Sequence, residues 1–104
     1  MEYAQLVSQK LRDAMQAEEV WLFGSHARGE AGPDSDIDFL AIVRSSNLSR
    51  YRRAVHARRL LRDIRCPKDI VVLTKQEWDR ELGVPSSLSS TVKREGFRLD
   101  NGSR

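Results

Sequence analysis

Val20-Trp21-Leu22-Phe23-Gly24-Ser25 and then, beyond positions 26–35, Asp36-Ile37-Asp38-Phe39-Leu40-Ala41-Ile42-Val43 are the stretches on which the fold turns. The first is a short apolar run stopped by Gly24-Ser25 and reads as a buried strand. Between the two runs, Ala31-Gly32-Pro33-Asp34-Ser35 is turn chemistry: glycine for freedom, proline for a fixed φ, aspartate and serine for local caps. The second run, Asp36 to Val43, reads as a strand. Ile37, Phe39, Ala41 and Val43 take one face, and Asp36, Asp38, Leu40 and Ile42 the other. Its apolar half, Phe39 to Val43, makes it a central strand rather than an edge. That half is also the longest uninterrupted apolar stretch in the sequence, far short of the roughly twenty residues a membrane-spanning helix needs.

Working outward, residues 2–17 read as an amphipathic helix with Tyr3, Ala4, Val7, Leu11, Ala14 and Met15 on one face. Residues 49–65 read as a second helix, with Ala54, Ala57, Leu60, Leu61 and Ile64 as its apolar stripe. Arg52, Arg58, Arg59, Arg62 and Arg65 lie away from that stripe. Pro67 stops this helix, and Asp69 to Leu73 is a third strand. Thr74-Lys75-Gln76-Glu77 fits a capping box that opens a short helix to about Leu82. Residues 86–95 read as a last helix ended by Gly96. Phe97 to Leu99 fits a small terminal strand, and residues 99–104 are expected to be a frayed tail. This order gives an α/β (α+β) fold in which a short sheet is covered by helices, one domain over residues 1–104.

Composition narrows the function classes. In 104 residues, 39% are hydrophobic and 32% charged, a balance that argues against disorder and for a densely charged surface. The single cysteine, Cys66, permits no internal disulfide, and the N-terminus shows no secretory signal. A reducing, cytoplasmic setting without a membrane partner is expected. The net charge of +3 points to an anionic partner. Trp21 and Trp78 are expected in the core, and Cys66 as a structural residue.

Three segments carry chemistry together. Gly24 after a strand lets a ligand approach the backbone, and a helical turn starting at Ser25 would present free N–H groups to a phosphate. Taken alone, the pair reads equally as a plain strand-to-helix turn. Asp36 and Asp38 are unusual in a strand. At i and i+2 they point the same way, and like charges so placed are costly unless a cation lies between them. Oxygen donors favour Mg²⁺ or Mn²⁺. The competing reading is an edge strand guarded by charge. Asp69 heads the third strand and supplies a third carboxylate if that strand neighbours the second; by itself it reads as an ordinary strand start. Three carboxylates beside a phosphate-binding turn is the layout that two-metal phosphoryl-type transfer requires.

Gly24-Ser25 followed by Asp36-Ile37-Asp38 resembles the signature of the polymerase β-like nucleotidyltransferase superfamily. The stretch Phe23 to Leu40 is more closely similar to the minimal nucleotidyltransferase (MNT) group, often the antitoxin half of MNT–HEPN toxin–antitoxin pairs. Asp69 to Thr74 and the tail from Val84 to Gly96 also resemble that group, so the likeness spans about residues 20–99. It implies a polymerase β-like fold with a short mixed sheet packed against helices. It implies that Gly24 and Ser25 hold nucleotide phosphates and that Arg28 meets a phosphate, with a packing or surface role as the competing reading of Arg28. It also implies that Asp36, Asp38 and Asp69 are catalytic and ligate a two-metal Mg²⁺ site, with Mn²⁺ as the alternative. Asp69 would help to deprotonate the acceptor. His26 falls at a variable position and is expected at the surface.

The activity the resemblance implies is transfer of AMP from ATP to a tyrosine hydroxyl of a HEPN toxin, an RNase-like partner with which this chain would assemble as antitoxin. The size of the chain leaves no room for an acceptor-binding domain, so the acceptor is expected as a separate macromolecule, or at a site built at an interface. The alternatives are a non-catalytic steric antitoxin, or a nucleotidyltransferase acting on RNA or a small molecule. For the arginine-rich helix 49–65, docking of an acidic partner and plain solvation stand ahead of nucleic-acid binding.

Overall fold

The computed structural model describes residues 2–99. The elements, in order, are α1 (Glu2–Met15), β1 (Glu19–Phe23), β2 (Ile37–Val43), α2 (Arg50–Leu60), β3 (Lys68–Thr74), α3 (Lys75–Leu82), α4 (Leu88–Glu95) and β4 (Phe97–Leu99). The sheet runs β3-β2-β1-β4. β1 is antiparallel to both β2 and β4, and β2 is parallel to β3. This is the expected short mixed sheet covered by helices. A parallel pair needs a crossover connection, and α2 provides it.

Side-chain alternation along β2 divides the core as its sequence predicts. Ile37, Phe39, Ala41 and Val43 join Val7, Leu11, Ala57 and Leu61 on the side of α1 and α2. Leu40 and Ile42 join Trp21, Leu73, Trp78 and Val92 on the side of α3 and α4. Both tryptophans are core residues, their rings 5.6 Å apart between centroids. Among the described residues, no helix is long and apolar enough to cross a membrane.

β1, β3 and α4 shift by one or two residues from expectation, and four other departures have a visible cause. α1 stops at Met15 rather than 17, because Gln16 turns into the left-handed region at φ 57°. β2 begins at Ile37, whose N–H bonds to Pro67 O at 3.0 Å, so Asp36 lies in the approach to the strand and not in it. α2 ends at Leu60, and its continuation tightens into i→i+3 bonds, Arg62 to Arg59 and Ile64 to Leu61. Leu99 is not frayed: it pairs with Val20 in β4, and its carbonyl accepts from Arg12 Nη2 at 2.5 Å. The rest of the expected tail, residues 100–104, lies outside the described residues.

The predicted capping box is present, with Thr74 Oγ1 accepting from Glu77 N and Glu77 Oε1 accepting from Thr74 N. Glu77 does more than cap. Its carboxylate takes two bonds from Arg53, at 2.8 and 3.0 Å, and Arg53 also donates to Val72 O and Leu48 O. Arg53 is only 5% exposed, so one guanidinium joins α2, β3 and the start of α3. The Arg53 hydrogen bonds, first of all, hold the Glu77 carboxyl at about 2, against an ordinary 4.5.

A depressed carboxyl contributes stability above its ordinary value and loses it as pH falls towards the lowered one. Arg53→Met is expected to cost about 2 kcal/mol, since it leaves the half-buried Glu77 carboxylate and the Val72 and Leu48 carbonyls without their charged donor. Glu77→Gln should cost less and flatten the fall in stability between pH 4.5 and about 2. Urea titrations of the three proteins across that pH range check both; an unchanged pH profile in Glu77→Gln would contradict the assignment.

Candidate active site

The candidate site forms at one end of the sheet, where β1 finishes and β2 and β3 begin. Register places its parts. Phe23 pairs with Asp38, and Asp38 pairs with Asp69. Directly paired residues share a face, so both carboxylates emerge on the face that α3 and α4 cover further along the strands.

Gly24 is required here for two reasons. Its φ is +76°, a conformation that side chains disfavour, and a Cβ built on it would lie 2.1 Å from Asp38 Oδ2. The backbone therefore passes directly against a carboxylate with no room for a side chain. From Gly24 the chain enters a helical turn, closed by Arg28 N to Gly24 O at 3.1 Å and Glu30 N to Ser25 O at 2.9 Å. Among the described residues, the N–H groups of Ser25, His26 and Ala27 have no acceptor. Unpaired donors at the start of a helical turn favour an anion. His26 fixes the turn from behind, its Nε2 lying 3.2 Å from Ser35 O.

The carboxylates crowd one another. Partial burial raises the Asp38 carboxyl above its ordinary value, and the charges of Asp69 and then Asp36 raise it further; His26 and Arg28 pull it back. A carboxyl raised in this way costs the fold stability as pH climbs from its ordinary value through the raised one, and the cost stays constant above that. A bound cation would relieve that cost.

Among the described residues, no three of His, Cys, Asp and Glu already stand together as a metal-ligating group. Asp36 is exposed in the approach to β2, and Asp69 leans towards Arg58 at 3.8 Å. The donor set nevertheless has hard-cation chemistry: carboxylate oxygens held near one another in mutual repulsion, beside a turn of free N–H groups. On those grounds the residues fit Mg²⁺ or Mn²⁺.

The structure thus brings Gly24, Asp38 and Asp69 together, sets Ser25 in the adjoining turn, and leaves Asp36 near but unpinned by the sheet. Arg28 is close enough for its charge to act on Asp38, while its own guanidinium bonds Glu30 at 2.9 Å and faces Glu95 at 3.7 Å. Two neighbours of the site, Arg58 and Glu95, were not legible in the sequence. Each arrives from a helix far along the chain, and nothing local marks either.

Comparison with known proteins shows the family and the fold. The nucleotidyltransferase domain family matches residues 4–95, and the chain belongs to that family. A protein of Sulfolobus solfataricus assigned as a nucleotidyltransferase superposes with a TM-score of 0.66 at 27% identity, covering 93% of this chain and 76% of that one. A chain from a toxin–antitoxin structure solved with AMP-PNP shares the fold at a TM-score of 0.57 and 20% identity, over 99% and 76% of the two chains. Another protein assigned as a nucleotidyltransferase does so at 0.51 and 22%, over 92% and 95%. No protein of curated function matches the chain significantly.

Gly24→Ala tests the close approach directly. The new methyl must displace the Asp38 carboxylate, and a shift of about 1 Å at a reacting centre costs roughly a hundredfold in rate. Nucleotidyl transfer should fall by about that factor while the circular dichroism spectrum stays native. Full activity in this variant would mean that Asp38 is not part of the site.

Proposed function

We propose that this nucleotidyltransferase moves AMP from ATP to a hydroxyl of a partner protein, and that the partner is a HEPN-type toxin which the transfer silences. What carries the reading is one juxtaposition: Asp38 opposite Asp69 across a parallel strand pair, with the Gly24 backbone against Asp38 and the free N–H groups of the Ser25 turn beside it. An anion site touching a carboxylate cluster suits a nucleoside triphosphate and its metal ions. The MNT-like stretch Phe23 to Leu40 supplies the protein acceptor and the HEPN partner. The occurrence of this fold in a toxin–antitoxin structure with AMP-PNP is consistent with both.

In this reading the Ser25 turn binds the phosphates and Asp36, Asp38 and Asp69 would hold Mg²⁺. The ion supplies neutralisation of the charge that develops on the phosphates. The acceptor oxygen bonds to the α-phosphorus, the bond from that phosphorus to the bridging oxygen breaks, and pyrophosphate leaves. Asp69, the more open of the paired carboxylates, receives the hydroxyl proton. Arg28 stands beside Asp38 to meet phosphate charge. The chain's contribution is positioning and fixed electrostatics.

The test is label transfer. The protein is incubated with MgCl₂, α-labelled ATP and its candidate partner, with Asp36→Ala/Asp38→Ala as the control. A labelled partner band that the control lacks is expected, with neutralisation of the partner lost in the same variant. Neutralisation that persists in the variant without label would establish a steric antitoxin instead; label on RNA would move the acceptor to nucleic acid.

A further inference from the structure

The outward side of α2 differs from an ordinary solvated helix face. It borders a groove of about 450 Å³ lined by Leu48, Tyr51, Arg52, Val55, His56 and Arg59. A smaller hollow of about 160 Å³ adjoins it, sharing Leu48 and His56 and reaching Met15 and Val43. Tyr51 is 74% exposed and Leu48 42%, an apolar stripe at helical spacing that no element of the fold covers. The arginines of α2 divide into two sets. Arg50, Arg53 and Arg58 are paired with Glu81, Glu77 and Asp69. Arg52 and Arg59, the two in the groove, have no ion-pair partner among the described residues.

We propose that this groove docks an acidic segment of a protein partner, an aliphatic or aromatic side chain seated on Leu48, Tyr51 and Val55 with carboxylates meeting Arg52 and Arg59. Charge complementarity selects the occupant. Arg62 and Arg65, beyond the end of α2, also have no ion-pair partner among the described residues, but only Arg52 and Arg59 stand beside an apolar floor. An apolar floor between two unpaired cations fits an amphipathic acidic peptide. Nucleic acid fits less well, because a base-stacking platform uses several aromatic rings and this groove offers Tyr51 with only the smaller His56 ring beside it.

The groove runs along α2, which packs on the opposite face of the sheet from Asp38 and Asp69. Its Arg59 end lies one residue from the Arg58 that faces Asp69. Docking and chemistry would therefore be read by different parts of one partner. The inference rests on the proposed protein acceptor for its purpose, but its test involves no catalysis, so the two can fail separately.

A random 12-residue peptide library displayed on phage would be panned on the wild-type protein and counter-selected on Arg52→Glu/Val55→Glu/Arg59→Glu. These substitutions are on the helix surface, and matching thermal melts would confirm that the variant folds. Enriched peptides are expected to carry Asp or Glu flanking Leu, Phe or Tyr. A synthetic copy should lose roughly tenfold or more in affinity for the triple variant, as at a docking hot spot. It should bind unchanged to Arg62→Glu/Arg65→Glu and to Asp36→Ala/Asp38→Ala. The proposal is overturned by no enrichment over the variant, by enriched peptides without acidic residues, or by equal loss in Arg62→Glu/Arg65→Glu. It is overturned too if a 20-nucleotide single-stranded RNA binds tightly through these same residues. Self-association abolished by the triple variant would assign the groove to a second copy of this chain.

Discussion

Parallel pairing of β2 with β3 is the constraint on which this structure depends. It sets Asp69 opposite Asp38, and it permits only one register. Phe39 to Ile42 are all fully buried, and Phe39 and Leu40 belong to opposite cores. A slip of one residue would turn every side chain of β2 to the wrong face, moving Asp38 under α1 and α2. The alternation that builds two hydrophobic layers is thus also what brings two carboxylates together at the sheet's end. Stability of the layers is what holds the repulsion in place.

The crossover that makes the pairing parallel is secured by few groups. Lys68 Nζ bonds the carbonyls of Ile64 and Cys66 as the chain enters β3. At the other end of β3, Arg53 ties Val72 O and Glu77 to α2. The two ends of β3 differ: Asp38 and Asp69 repel one another with only Arg58 and Arg28 as nearby cations, whereas Arg53 and Glu77 neutralise each other. Under the proposed function, the nucleotide's metal ion would supply the missing positive charge.

Much of this was legible in the sequence, and particular residues show why. The two faces of β2, the capping box at Thr74 and Glu77, and the glycine before the Ser25 turn are local patterns, each written within a few residues. What local patterns could not reveal is where distant residues meet. Arg53 looks like one more member of an arginine-rich helix until Glu77, 24 positions away, is packed against it. Arg58 reaches Asp69 only because α2 returns alongside β3. Asp36 fits strand alternation, yet the first ladder bond belongs to Ile37, which a pattern of alternating residues cannot distinguish from a start one residue earlier.

In the proposed function the Ser25 turn and the three aspartates form one nucleotide and metal site. Mn²⁺·ATP titrated into the ¹⁵N-labelled protein tests it most directly, because the bound ion broadens only the amide signals near it. The account predicts early loss of the signals of Gly24 to Ala27, Asp36 to Asp38 and Asp69, with those of Arg52 to Val55 retained, and no selective loss in Asp36→Ala/Asp38→Ala. Broadening centred elsewhere, or equal in the aspartate variant, would contradict it.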